Sequence, residues 1–126
     1  MRAHVLLLIA SAVVMPSPAF AEDWVMVGVD ANQSRKIYID RSSIRRSGAM
    51  VRYWTKAEYN NHPDGWAKDH TLEEANCSTS QTHILQIGVV FTNGRSVLEN
   101  RPGEWVYVTP GSLADATFKF ACNGVK

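Results

Sequence analysis

Ala49-Met50-Val51-Arg52-Tyr53-Trp54-Thr55-Lys56-Ala57-Glu58-Tyr59 decides the fold class. Val51, Tyr53, Thr55, Ala57 and Tyr59 fall on one side of an extended chain, and Met50, Arg52, Trp54, Lys56 and Glu58 on the other. Successive side chains of a strand point to opposite faces, so this alternation predicts a half-buried strand. The first set suits a core; the second suits an exposed face carrying one large aromatic. Upstream, Trp24-Val25-Met26-Val27-Gly28-Val29 is a short apolar run closed by the turn-rich Asp30-Ala31-Asn32-Gln33-Ser34. Lys36-Ile37-Tyr38-Ile39 alternates again, so the two runs predict a hairpin. Asp40-Arg41-Ser42-Ser43 predicts a turn or a single helical turn with Ile44 tucked beneath it, and the turn continues through Arg45-Arg46-Ser47-Gly48.

Downstream, Asn60 to Gly65 is a loop by composition. Thr71 to Cys77 is a weaker strand. Thr82 to Phe91 is a stronger one, with Leu85, Ile87, Val89 and Phe91 on one face and Gly88 marking a bulge on the other. Asn93-Gly94 is a tight-turn signal before Ser96-Val97-Leu98, and Trp105 to Val108 forms a last short strand. Trp24 and Trp105 are assigned to the core. The period then changes. Ser112, with Asp115 three residues on, opens a helix in the manner of a capping box. Leu113, Ala116, Thr117 and Phe120 recur at helical spacing, and Asn123-Gly124 ends the helix. The fold class is therefore α+β: one antiparallel sheet of about six strands and a C-terminal helix.

Residues 1–21 have the three parts of a secretion signal: a short basic start, an apolar stretch from Val5 to Met15, and Ala19-Phe20-Ala21 as the cleavage site. Cleavage after Ala21 leaves a single domain, residues 22–126, directed to the periplasm or secreted. The apolar stretch is too short for a spanning helix, and no cysteine stands at the start of the mature chain to carry a lipid. Without Arg2, the thirteen Lys and Arg become twelve, equal to the twelve Asp and Glu. That balance argues against nucleic acid as a partner. Arg41, Arg45 and Arg46 form either a solvated turn or a small anion-binding patch.

Cys77 and Cys122 are the two cysteines. In an oxidising compartment they are expected to form a disulfide that ties the helix to the body of the domain. They lack the paired spacing of a zinc site or a thioredoxin-like motif. His62, Asp64, Asp69 and His70 have residue types suited to a divalent metal, but they fall in a segment that reads as a polar loop. Ser112 lacks the G-x-S-x-G of a hydrolase elbow and reads as a helix cap; His83 reads as a packed or hydrogen-bonded strand residue. No catalytic residue, cofactor or metal site is assigned. Arg52, Trp54 and Trp66 are the candidate patch for a protein partner, since aromatics beside arginines are common at binding hot spots. The alternative for Trp54 is that it covers a second small core.

Taken in order, several segments resemble the surface-adhesin protein E family, small exported domains of Gram-negative bacteria. They are Trp24 with its strand, Ile37-Tyr38-Ile39-Asp40 leading to Ser43-Ile44, and Gly48 before Val51-Arg52-Tyr53-Trp54. The strand entering Cys77 follows, then Pro102-Gly103-Glu104-Trp105, Pro110-Gly111-Ser112 and Cys122. The resemblance implies a single antiparallel sheet with a C-terminal helix disulfide-bonded against it. It also implies an adhesive role, directed in the family's named member at host matrix proteins and haem from a lipid anchor, whose cysteine this chain lacks. Three functions follow as expectations: an envelope binding domain without catalysis, a surface or secreted adhesin for host matrix proteins, and a metal-dependent periplasmic protein.

Overall fold

A computed structural model describes residues 22–123 of the chain. The expected signal segment and its cleavage site after Ala21 lie outside the described residues. The chain runs β1 (Trp24–Val29), β2 (Arg35–Asp40), a 3-10 turn (Arg41–Ser43), β3 (Arg45–Ser47), β4 (Met50–Tyr59), β5 (Trp66–Asn76), β6 (Gln81–Phe91), β7 (Ser96–Glu99), β8 (Val106–Tyr107) and α1 (Leu113–Asn123). One antiparallel sheet has the order β1-β2-β4-β5-β6-β7, with β3 on β4 and β8 on β6. Two elements share each of two edges. β2 pairs with Thr55–Tyr59 of β4 and β3 with Met50–Arg52, while β7 and β8 pair with opposite ends of β6. That sharing makes the strand count eight where the sequence suggested about six.

Local chemistry sets the connections. The Asp30 carboxylate accepts from Ser34 Oγ at 2.5 Å and from the Arg35 N–H at 3.0 Å, which closes the β1–β2 turn. Asp40 caps the 3-10 turn, accepting from the N–H of Ser42 and, at 2.9 Å, from that of Asp23. Ser112 Oγ accepts from the Asp115 N–H at 3.1 Å, and Asp115 in return accepts from the Gly111 N–H at 2.9 Å, so α1 begins as the sequence proposed.

The core lies between α1 and one face of the sheet. Ile39, Ile44, Val51, Tyr53, Ala75, Phe118 and Ala121 form it. Cys77 and Cys122 are disulfide-bonded with Cα atoms 5.7 Å apart, inside the range such a bond allows. Gly28 leaves room where α1 crosses β1: a Cβ there would stand 2.6 Å from Leu113 Cδ2, which would have to shift.

Five expectations are corrected. Trp66 to His70 belong to β5, because Asp69 finds partners inside the fold and the preceding loop ends at Gly65. Arg45–Ser47 is a short strand folded onto β4 rather than turn. The β6 irregularity passes over Leu85, while Gly88 pairs regularly with His70 and Leu98. The buried face of α1 is wider than the spacing suggested: Asp115, Phe118 and Ala121 are buried along with Thr117, while Phe120 is partly buried against the core. Trp105 precedes the two-residue β8, is 39% exposed, and stacks on His83 with centroids 3.9 Å apart. It shares the face of His83, Glu74 and Arg52, which the helix does not cover.

Candidate functional site: the uncovered sheet face

The outward positions of β4 continue across the sheet in register. Tyr38, Lys56, His70, Gly88 and Leu98 form one row. Trp54, Leu72 and Gln86 form the next, and Arg52, Glu74 and His83 a third. Trp24 enters from β1. Its ring meets the His70 ring edge-on at 5.7 Å, and Lys56 Nζ stands 4.8 Å from the Trp24 centroid and 4.8 Å from that of Tyr38. A cation over aromatic faces fixes both rings. The Trp24 indole N–H donates to Glu22 at 2.9 Å.

Between Trp24 and Trp54 opens a groove of about 550 Å³, lined by those two rings with Glu22, Asp40, Ser42, Ser43, Arg45 and His70. Its walls are held. The Trp54 N–H donates to Ser43 Oγ at 2.9 Å, Ser43 Oγ donates to the Asp40 carbonyl at 2.7 Å, and Arg45 donates to the carbonyls of Ser42 and Ile44. Burial, then the charges of Lys68 and Lys56, push His70 below its usual range, so its ring is neutral at pH 7. Asp40 is lowered: burial opposes ionisation, but the hydrogen bonds from Ser42 and Asp23 outweigh it. The groove therefore combines apolar ring faces with a carboxylate rim at Glu22 and a guanidinium rim at Arg45.

Of the candidate patch, the structure brings Arg52 and Trp54 to this face two residues apart and places Trp66 elsewhere. Trp66 pairs with Phe91 at the far end of β5, roughly 20 Å along the strand from the level of Trp54. There it stacks on His62 at 4.9 Å and meets Tyr59 edge-on at 5.9 Å. Arg52 is committed to Glu74, at 2.6 Å. Glu74 also holds His83 Nε2 at 3.0 Å, and His83 Nδ1 lies 3.2 Å from the Gly103 carbonyl. Burial alone would raise Glu74; the hydrogen bonds and charges of His83 and Arg52 bring it below the usual glutamate range. Trp105, Trp24 and His70 are the members of this face that the sequence did not supply. The signal was present in the hairpin pairing, which sets Trp24 opposite Asp40.

The other sequence candidates are dispersed. His62 accepts from the Asp64 N–H at 3.1 Å in the loop, Asp69 is buried beneath the opposite face, and His70 lies in the groove. Among the described residues no cluster of three or more His, Cys, Asp or Glu could hold a metal, and no helix is long and apolar enough to cross a membrane.

A model of the family described as surface-adhesin protein E matches residues 24–123. No curated protein matches significantly in sequence. Two solved structures of Haemophilus influenzae protein E are similar. Crystal form II has a TM-score of 0.55 at 12% identity, over 81% of this chain and 97% of that one. Protein E from a non-typeable strain has a TM-score of 0.48 at 13% identity, over 80% and 84%. At that identity the first supports the fold alone.

Proposed function

The chain belongs to the surface-adhesin protein E family, and on that premise we propose that it is an exported binding domain without catalytic activity, recognising a protein through the uncovered face of its sheet. The groove between Trp24 and Trp54 carries this reading. It is a concave site with two indole rings, a neutral imidazole and one charge of each sign on its rim, a composition suited to protein recognition. The partner is an extracellular protein, in keeping with the family's description as a surface adhesin, and host matrix proteins are the class to test. The mature domain is residues 22–126, released by cleavage after Ala21 into the periplasm or the medium.

The test is protease and antibody accessibility of the tagged protein on intact cells, with osmotic-shock and medium fractions alongside, then capture of matrix proteins by wild type and by Trp24→Ala and Trp54→Ala. Loss of capture of at least tenfold with unchanged far-UV dichroism supports the reading. Equal capture by both variants refutes the groove. Mass spectrometry of the mature N-terminus checks the cleavage position.

A further inference from the structure

The helix-covered face has a second cavity, at the end of the sheet where its aliphatic core stops. Near the disulfide the inward side chains are Ile39, Val51 and Phe118. Further along β4 and β5 they become Thr55, Ala57, Asp69 and Glu73. Here the sheet and the first turn of α1 enclose about 230 Å³, bounded by Arg35, Asp69, Glu73, Thr117 and Ser112 to Ala114. At about 30 Å³ per water, that is room for a small polar molecule.

The charges around this space do not close on each other. Arg35 comes from β2 and the two carboxylates from β5, yet among the described residues none of the three forms an ion pair with another. Asp69 is held in place by Tyr59 Oη at 2.5 Å and Thr71 Oγ1 at 3.1 Å. Two buried side-chain polar atoms have no hydrogen-bond partner, Arg35 Nε and Tyr53 Oη. Tyr53 is 0% exposed, and its hydroxyl faces Glu73 and Thr117, both cavity residues, without a well-formed hydrogen bond to either. Buried polar groups are ordinarily satisfied, so the unpartnered Nε of Arg35, a residue that lines this cavity, points to a ligand; Tyr53 is not itself a lining residue. The third wall is the start of an eleven-residue helix, whose leading N–H groups lack intrahelical acceptors and carry partial positive charge.

We propose that this cavity binds a small zwitterion of the free amino-acid class. Asp69 and Glu73 take the ammonium group. Arg35 and the Leu113 and Ala114 amides take the carboxylate. Neither charge alone fits, because an isolated cation leaves Arg35 unpaired and an isolated anion faces two carboxylates. Burial biases Glu73 toward its neutral form, and an ammonium beside it reverses that bias, so binding releases a proton and tightens as pH rises.

The experiment is an amide-resolved NMR titration of the mature protein with glycine, alanine, methylamine and acetate, each to high millimolar concentration. Saturable shifts at Leu113, Ala114 and the Arg35 side chain are expected with glycine or alanine, with at least tenfold weaker response to methylamine or acetate. Arg35→Met and Glu73→Gln are each expected to weaken glycine binding at least tenfold. Absence of saturable shifts with both amino acids overturns the proposal, as does an equal response to methylamine or acetate. Undiminished binding by folded Arg35→Met overturns it too. Should either variant fail to fold, the wild-type comparison of the four probes decides alone.

Discussion

Glu73 and Glu74 are neighbours on one strand and titrate in opposite directions. Glu73 points under the helix, where burial raises it. Glu74 points outward, where His83 and Arg52 outweigh its partial burial and lower it. The same division runs through β4: Val51, Tyr53 and Thr55 are sealed inside, while Arg52, Trp54 and Lys56 stand outside. A sheet covered on one face by a single short helix thus has two kinds of surface one residue apart. One stabilises by excluding water; the other keeps its rings and charges available. Stability and recognition are therefore expected to separate by strand parity, and each prediction below tries to break that separation.

The largest effect is expected at the staple. Cys77 and Cys122 are 45 residues apart, and restricting the unfolded chain over that span contributes about 4 kcal/mol. Reduction, or Cys122→Ser, should lower the denaturant midpoint accordingly and expose amides of α1 to hydrogen exchange first. Reduction without change in melting would show that the helix docks on packing alone.

Substitution by parity comes next. Ile39→Ala removes a fully buried side chain and should cost about 2–5 kcal/mol in urea unfolding. Trp54→Ala, on the other face, should cost less than that while abolishing capture of a partner. If the two variants destabilise equally, Trp54 covers a second core and the outer face is not a free surface.

The glutamate pair supplies a pH test. A carboxyl raised in the folded state contributes stability that is complete below its ordinary value of 4.5 and is lost as pH rises through the folded pKa. Glu73→Gln should therefore raise the midpoint at neutral pH and flatten the decline above that value. Glu74 contributes the opposite way: its stabilisation is present at neutral pH and is lost as pH falls through its depressed pKa. Glu74→Gln should lower the neutral midpoint and leave the acid end unchanged. Thermal melts across pH read both.

Smallest is Tyr53→Phe. Its hydroxyl is buried without a hydrogen-bond partner, so its loss should change stability by less than the roughly 1 kcal/mol of an ordinary hydrogen bond. A larger loss would mean that Glu73 accepts from it.

How far the sequence could be read follows from the same parity. Ala49 to Tyr59 was legible because its two faces differ in polarity at nearly every step. The disulfide was legible from two cysteines and an expected export signal, and the start of α1 from Ser112 and Asp115. The first half of β5 was not. Lys68, Asp69 and His70 look like a polar loop, since nothing local shows that Tyr59, ten residues earlier, will bury Asp69. Trp105 misled for the converse reason: a large aromatic next to a short strand implies a core, but its ring lies with His83 on the face that the helix leaves uncovered. Trp66 was grouped with Trp54 because sequence distance hides position along a strand. In the helix, spacing gave the right period and part of the buried face, Thr117 with Leu113 and Ala116 over Gly28, but not its full width, which takes in Asp115, Phe118 and Ala121.

The position of the staple also orders events in time. Cys122 lies in the last element of the fold, after every strand has been delivered. The covalent ring from Cys77 to Cys122 encloses β6, β7, β8 and nearly all of α1, and leaves β1 to β5 outside it. A chain emerging from its N-terminus can pair its first five strands while the groove of Trp24 and Trp54 takes shape, but their inner face stays uncovered until the helix arrives. Neither the docking of α1 nor closure of the Cys77–Cys122 bond can precede delivery of this last element, so both belong to the end of the chain's assembly.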